Sequence, residues 1–212
     1  MADALYFALK RVLTPLADLY FSLRSSGHES LPAGPFILAG NHSSLLDWVF
    51  VARFVDRPVR FVLTREFYDQ AGVTAIYRQL GVIPIRDGAI ELSAVRQLLA
   101  TLGRGEIVGV FPEGQITRDG ALLPAQPGVI AIAARAGVPI VPVGVDGAFE
   151  AFPRDARLPR PHPVRVTFGA PVAIPSDVMR SREGQVEWAT DLMQRIGALR
   201  DEAHAAGAAQ RT

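Results

Sequence analysis

From residue 31 onward, short apolar runs alternate with stretches in which apolar residues recur every three or four positions. The runs at 36–39, 59–63, 82–85, 107–111, 140–145 and 164–168 have the length and the near-continuous hydrophobicity of buried strands. Between them, 45–55, 73–80, 90–102 and 129–136 read as helices. In the third of these Leu92, Val95, Leu99 and Leu102 share one face, with Gly103 and Gly105 stopping it; Gly137 ends the fourth. Strands that are apolar on both sides and separated by helices predict an α/β fold, a largely parallel sheet flanked by helices on both faces. A closing helix is expected over 185–203 and a frayed tail over 206–212.

Ahead of this domain, residues 4–24 form a helical pattern. Leu5, Leu9, Val12 and Leu16 fall at helical spacing, as do Leu13, Leu16, Tyr20 and Leu23, and Pro15 should kink or split the helix. Tyr6, Phe7, Tyr20 and Phe21 mixed with Lys10, Arg11 and Arg24 suit a helix lying in a membrane interface; the same stripe would also serve a helix packed on its own domain. The expected organisation is an amphipathic, membrane-associating segment over 1–26, an α/β domain over 27–205 and the tail.

Composition narrows the chemistry. With 22 Lys and Arg against 21 Asp and Glu the net charge is +1, so no global basic field argues for nucleic acid. The 212 residues contain no cysteine, which excludes disulfides, thiolate nucleophiles and Cys-ligated metals. The four histidines are scattered and no His-Glu-x-x-His occurs, so no metal is expected. No run has the ~18–20 apolar residues of a spanning helix. No signal-peptide pattern opens the chain, and a cytoplasmic placement is expected.

The candidate chemistry centres on residues 41–47, Asn-His-Ser-Ser-Leu-Leu-Asp, at the end of the first apolar run. Histidine titrates near neutrality and can take a proton from a hydroxyl, so His42 reads as a base aimed by Asp47. Ser44-x-x-Asp47 also fits a helix capping box, which would account for the serine and the acid without chemistry, though not for Asn41 or His42. In a mostly parallel sheet, sites gather beyond the carboxyl ends of strands. Arg86 (in IPIR), Glu113 (in FPEG) and Gly144 lie near such ends, as does His42. A guanidinium suits phosphate, a glycine admits close backbone approach, and a carboxylate can orient a hydroxyl or the arginine. Over 137–144, two prolines inside an apolar run imply an irregular or edge strand. Residues 151–163, AFPRDARLPRPHP, form a loop whose Arg154, Arg157 and Arg160 either meet anionic lipid or an acidic carrier or are simply solvated.

NHSSLLD, IPIR, FPEG and VPIVPV, in that order, resemble the lysophospholipid acyltransferase superfamily, which includes bacterial 1-acylglycerol-3-phosphate acyltransferases. Its blocks are His-x4-Asp, a short segment with an arginine, Phe-Pro-Glu-Gly and Val-Pro-x-x-Pro-Val, and the resemblance spans about 28–170. It implies that His42 is the catalytic base and Asp47 its partner, that Arg86, Glu113, Gly114 and Arg118 bind the acceptor, and that Val138, Pro139 and Pro142 help form the acyl-donor side. It also implies an α/β fold behind a membrane-associated helical motif. The implied reaction carries a fatty acyl group from acyl-CoA or acyl carrier protein to a lysophospholipid, first 1-acyl-sn-glycerol-3-phosphate, at the cytoplasmic face of a membrane met through residues 4–24. The acyl thioester is a co-substrate, and no cofactor is expected. One departure bears on the acceptor: the family's usual FPEGTRS is here FPEGQIT, so Ile116 stands where an arginine is usual, and another headgroup is the alternative. A thioester hydrolase using the same dyad, and a lipid-binding module without chemistry, are the rival readings. No Gly-x-Ser-x-Gly elbow occurs, so no acyl-enzyme is expected.

Overall fold

Helices and strands alternate along the described residues, which are 2–70, 72–86 and 91–209 of a computed structural model. Helix α1 (Ala2–Phe21) leads into β1 (Arg24–Ser26), β2 (Ile37–Gly40), α2 (Asp47–Arg53), β3 (Val59–Thr64), α3 (Arg65–Tyr68), α4 (Thr74–Gln79) and β4 (Ile83–Ile85). Then come α5 (Leu92–Gly103), β5 (Ile107–Val110), α6 (Gly128–Ala136), β6 (Ile140–Asp146), α7 (Ala148–Ala151), β7 (Arg165–Phe168) and α8 (Arg182–Ala209). The strands form one sheet in the order β1-β7-β6-β2-β5-β3-β4. Every neighbouring pair is parallel except β6 with β7.

The continuous hydrophobicity of β2 follows from its place in the middle of this sheet. Phe36 and Leu38 belong to a core on one face, with Phe50 and Val143. Ile37 and Ala39 belong to a second core on the other face, with Ile130 and Ile196. Alternate residues of a strand point to opposite faces, so a strand covered on both must be apolar throughout.

Several expectations need correction. The strand with two prolines is not an edge strand: β6 lies between β7 and β2. Pro139 precedes it, and Pro142 sits between the regular β6–β7 ladder and an isolated antiparallel bridge from Ile140 to Val172. Antiparallel pairing with β7 begins at Val143–Phe168, and Gly169 N–H still donates to the Pro142 carbonyl. The regular ladder is thus interrupted at Pro142, which is the irregular-strand alternative for a strand that carries prolines. Strand β1, Arg-Ser-Ser, has no hydrophobic signature, because as an edge strand it joins the sheet through backbone pairing with β7 alone. Pro15 does not split α1, which runs unbroken across it. Helix α8 is longer than its apolar pattern, because its alanine-rich end favours helix. The Asp87-Gly88 turn, Ile90 and residues 210–212 lie outside the described residues.

Helix α1 is held to the domain along one side. Tyr6, Ala17 and Phe21 are buried. Lys10 Nζ donates to the Val55 carbonyl at 2.5 Å, and Arg53 makes a two-pronged bond to Asp18. Lys10 thus points inward rather than toward a membrane, and burial lowers its pKa. Arg60, on β3, donates to Asp3 of α1 and to Glu106 before β5, both at 2.6 Å, and to the Leu80 carbonyl after α4 at 3.0 Å. No helix among the described residues is long and apolar enough to cross a membrane.

Arg60→Met should cost roughly 2–3 kcal/mol in a denaturation experiment, the worth of a charged hydrogen bond lost from a largely buried network. Burial works against ionisation of Glu106, but the bonds from Arg60 and Arg104 prevail and hold its carboxyl below the usual range. A depressed acid contributes stability that is present above its unfolded pKa and lost as pH falls through the folded one. The stability-versus-pH curve of the Arg60→Met protein should be correspondingly flatter on its acid side.

Candidate active site

Strand β2 ends at Gly40, and the turn to α2 holds the candidate base. Asn41 extends the β2–β6 pairing with its side chain: its amide NH2 donates to the Val145 carbonyl at 2.9 Å and its Oδ1 accepts from Val145 N–H at 2.7 Å. This clamp sets the level from which His42 departs. Asp47 opens α2 and is fully buried. Its Oδ2 accepts from Ser43 N–H at 2.7 Å and from Ser44 N–H at 2.8 Å, and lies 2.8 Å from His42 Nδ1. An oxygen already accepting two amide hydrogens can take the imidazole only as a third donor, so Nδ1 carries the proton and the Nε2 lone pair is free. Asp47 Oδ1 is buried and without a partner among the described residues.

Capping box and dyad therefore share one atom. The acid does reach back to Ser44 N–H, yet no side chain caps α2 at its first residue. Ser44 Oγ instead accepts from Leu46 N–H and donates to the Phe152 carbonyl.

Strands β2 and β5 are neighbours, with Ala39 opposite Val110, so the residues beyond both ends meet. Glu113 is buried; its Oε1 accepts from His42 N–H at 2.7 Å and its Oε2 from Leu123 N–H at 2.9 Å. Burial raises its pKa against the pull of these two bonds. In this structure it holds the backbone of His42 and the loop that carries Leu123. Thr117 N–H donates to the His42 carbonyl at 2.9 Å. The imidazole stacks on Phe111 at 4.1 Å, Phe111 on Phe61 at 6.0 Å, and Trp48 meets Phe61 edge-on at 6.4 Å. Sequence reasoning missed this aromatic row. Phe111 stood in a quoted block, but the contribution of Phe61 depends on Gly109 beside it in the sheet.

The other expected residues are placed differently. Arg86 follows β4, three strands from β2, or about 14 Å of sheet; it is largely exposed and paired with Glu91 at 2.6 Å. Gly114, at φ 73°, makes the turn after Phe111, and both it and Arg118 are exposed. Ile116 is 8 % exposed. Val138 and Pro139 lie at the opposite end of the sheet from His42. Pro139 accepts from Ile37 N–H at the start of β2, about 15 Å from the dyad. Pro142 lies opposite Ala39 within the sheet. The structure does not bring these three to the imidazole; the apolar side chain in contact with it is Phe111, backed by buried Phe61 and, beyond it, Trp48. A cavity of about 350 Å³ opens on the β6 side of the turn, beside Ser43, Asp146 and His204; neither His42 nor Arg86 lines it. Among the described residues no group of His, Asp and Glu is placed to hold a metal ion.

Residues 22–146 match the family model described as Acyltransferase. The chain is 26 % identical over 138 residues to the Brassica napus chloroplastic 1-acyl-sn-glycerol-3-phosphate acyltransferase BAT2, covering 63 % of this chain and 40 % of that protein. It is 23 % identical over 145 residues to the Bacillus subtilis 1-acyl-sn-glycerol-3-phosphate acyltransferase, covering 68 % of this chain and 72 % of that one. The match thus spans about two fifths of the plant relative's length. The crystal structure of the 1-acyl-sn-glycerophosphate acyltransferase PlsC from Thermotoga maritima has the same fold, with a TM-score of 0.70 at 22 % identity over 96 % of this chain and 83 % of that one.

Gly109→Ala tests the aromatic row. A Cβ there would come within 2.5 Å of the Phe61 ring, and the ring must move. The expected outcome is a loss of about 1–3 kcal/mol of stability, together with a fall in the rate of acyl transfer. Ile196→Val, a similarly mild change in the core of the other face, should leave the rate unaltered; equal rates for the two variants would show that the stack does not support His42.

Proposed function

The chain belongs to the acyltransferase family, and we propose that it moves a fatty acyl group from a thioester, acyl-CoA or acyl carrier protein, to the free hydroxyl of a lysophospholipid. The observation that carries this reading is the 2.8 Å contact from His42 Nδ1 to a fully buried carboxylate, with Nε2 left free. The names of the plant and bacterial relatives support 1-acyl-sn-glycerol-3-phosphate as the acceptor. A second acceptor class is favoured by a separate observation: buried Ile116 occupies the place of a guanidinium, and Arg86 is already paired with Glu91. Both reduce the positive charge offered to a bare phosphomonoester and favour a lysophospholipid with another headgroup.

In the proposed step His42 Nε2 takes the proton of the acceptor hydroxyl as its oxygen attacks the thioester carbonyl. The tetrahedral intermediate expels the thiolate, which recovers the proton from the imidazolium, and Asp47 Oδ2 stabilises the imidazolium in between. No residue is acylated. The acyl chain lies along Phe111, Phe61 and Trp48. Helix α1 rests in the membrane interface at the cytoplasmic face, with Val12, Leu16 and Leu19, between 61 and 84 % exposed, toward the lipid.

Purified protein given acyl-CoA or acyl carrier protein donors and a panel of lysolipids should form diacyl products detectable by mass spectrometry. His42→Ala should lower transfer about 10²–10⁴-fold while the circular dichroism spectrum is unchanged. Asp47→Asn should produce a comparable fall by freeing the wrong tautomer, and Ser43→Ala should spare activity. Free fatty acid released at the same rate without any lysolipid would assign the dyad to hydrolysis; full activity in His42→Ala would remove the base.

A further inference from the structure

The loop between α7 and β7, residues 152–163, is not absorbed by the reaction. Its backbone is anchored at several points. Tyr20 Oη of α1 donates to the Pro159 carbonyl at 3.0 Å, Arg160 N–H to the Ala151 carbonyl at 2.7 Å, and Val164 N–H, just past the loop, to the Phe21 carbonyl at 2.9 Å. Ser44 Oγ, in the turn that carries His42, donates to the Phe152 carbonyl at 2.8 Å. The loop therefore bridges the last turn of α1 and the candidate catalytic turn.

Its outer side combines two features. Leu158 is 76 % exposed, close to the end of α1, where Leu16 and Leu19 are 61 and 84 % exposed. Arg154, Arg157 and Arg160 flank Leu158 and are exposed, and their guanidinium groups have no hydrogen-bond or ion-pair partner among the described residues. Asp155 is the one acidic side chain between Phe152 and Pro163. A solvated loop has no need of an exposed leucine among unpaired arginines beside an apolar helix face. A bilayer surface suits both features at once, an apolar layer for the leucines and anionic headgroups for the guanidiniums.

We propose that this loop and the outer face of α1 form one contact surface for a bilayer containing anionic lipid, with Arg154, Arg157 and Arg160 at the headgroups and Leu158 entering the apolar layer. The inference rests on the reading of α1 as an interfacial helix, and the loop adds selectivity for negative surface charge. An acidic carrier protein would engage the arginines but leave the leucines without a partner.

The test is flotation of the full chain with phosphatidylcholine vesicles, with and without phosphatidylglycerol. The unaltered chain should bind both and prefer the anionic ones by about 100-fold at low salt, the preference shrinking as salt rises. The triple variant Arg154→Gln, Arg157→Gln, Arg160→Gln should bind both vesicles equally and weakly, with its melting temperature and its turnover of a dispersed short-chain lysolipid unchanged. Leu158→Asp should weaken binding to both. An anionic preference that survives the triple substitution overturns the loop proposal alone. Failure to bind either vesicle, with Leu16→Asp and Leu19→Asp without effect, overturns the interfacial reading of α1 as well. Vesicle binding unchanged in the triple variant but turnover lost only with an acyl carrier protein donor would give the arginines to an acidic protein and remove the lipid assignment.

Discussion

A single oxygen organises this protein's candidate site. Asp47 Oδ2 receives two backbone amides and the imidazole, all within 2.8 Å, at a carboxyl with no exposure to solvent. Burying a carboxylate is costly unless donors replace the water it loses. Here the donors converge on one oxygen while Oδ1 goes without any among the described residues. Charge-assisted bonds are the strong ones, and three on one atom define both the fold of the 43–47 turn and the azimuth of the ring. A group that only capped a helix would gain nothing from a third donor that is an imidazole, nor from such complete burial. The cost of the orphaned oxygen is accepted in exchange for the aim of the ring.

The sheet makes that convergence possible. His42 is held through its N–H by Glu113, through its carbonyl by Thr117, through Nδ1 by Asp47 and through its ring by Phe111. Three of these four come from the residues just after β5, and they reach His42 because β5 lies beside β2 in parallel register. An antiparallel neighbour would have carried its carboxyl end to the far side of the molecule. The glycine in β5 continues the same logic one layer down. Gly109 lets the Phe61 ring lie flat across the strand, so the aromatic row that supports the imidazole depends on a missing side chain.

The strands buried on both faces were legible in the sequence, because double burial demands unbroken hydrophobicity. So were His42 and Asp47 as a pair, and Glu113 as their neighbour. What escaped was whatever depends on backbone alone or on strand order. β1 pairs without apolar side chains, and Pro142 is tolerated in an interior strand because the regular ladder with β7 stops one residue short of it. Strand order decided the rest of the site. Arg86 follows an apolar run as His42 does, but two strands lie between theirs. Val138 and Pro139 belong to the same ordered set of blocks, yet they stand at the end of the sheet opposite His42. Position along a chain reports the neighbourhood of two strand ends only once their order is known. Glu113 shows a related effect: a carboxylate is visible in sequence, but the two amide hydrogens that occupy its oxygens are not.

Ser44 connects the chemistry to the surface. Its backbone N–H serves Asp47, and its hydroxyl holds the first residue of the arginine-bearing loop, whose far end is tied to the last turn of α1. The turn that aims the imidazole is thus linked, through this loop, to elements that carry exposed leucines. On the proposed function, with a lysolipid as acceptor, this linkage has a physical use. The acceptor's acyl chain loses most by leaving an apolar layer, about 0.8 kcal/mol for each buried CH₂. A site reached from the layer avoids that loss, whereas one on the opposite face of the domain would have to repay it through its own apolar surface. The modest aromatic row beside His42 is adequate on the first arrangement and would be too small on the second.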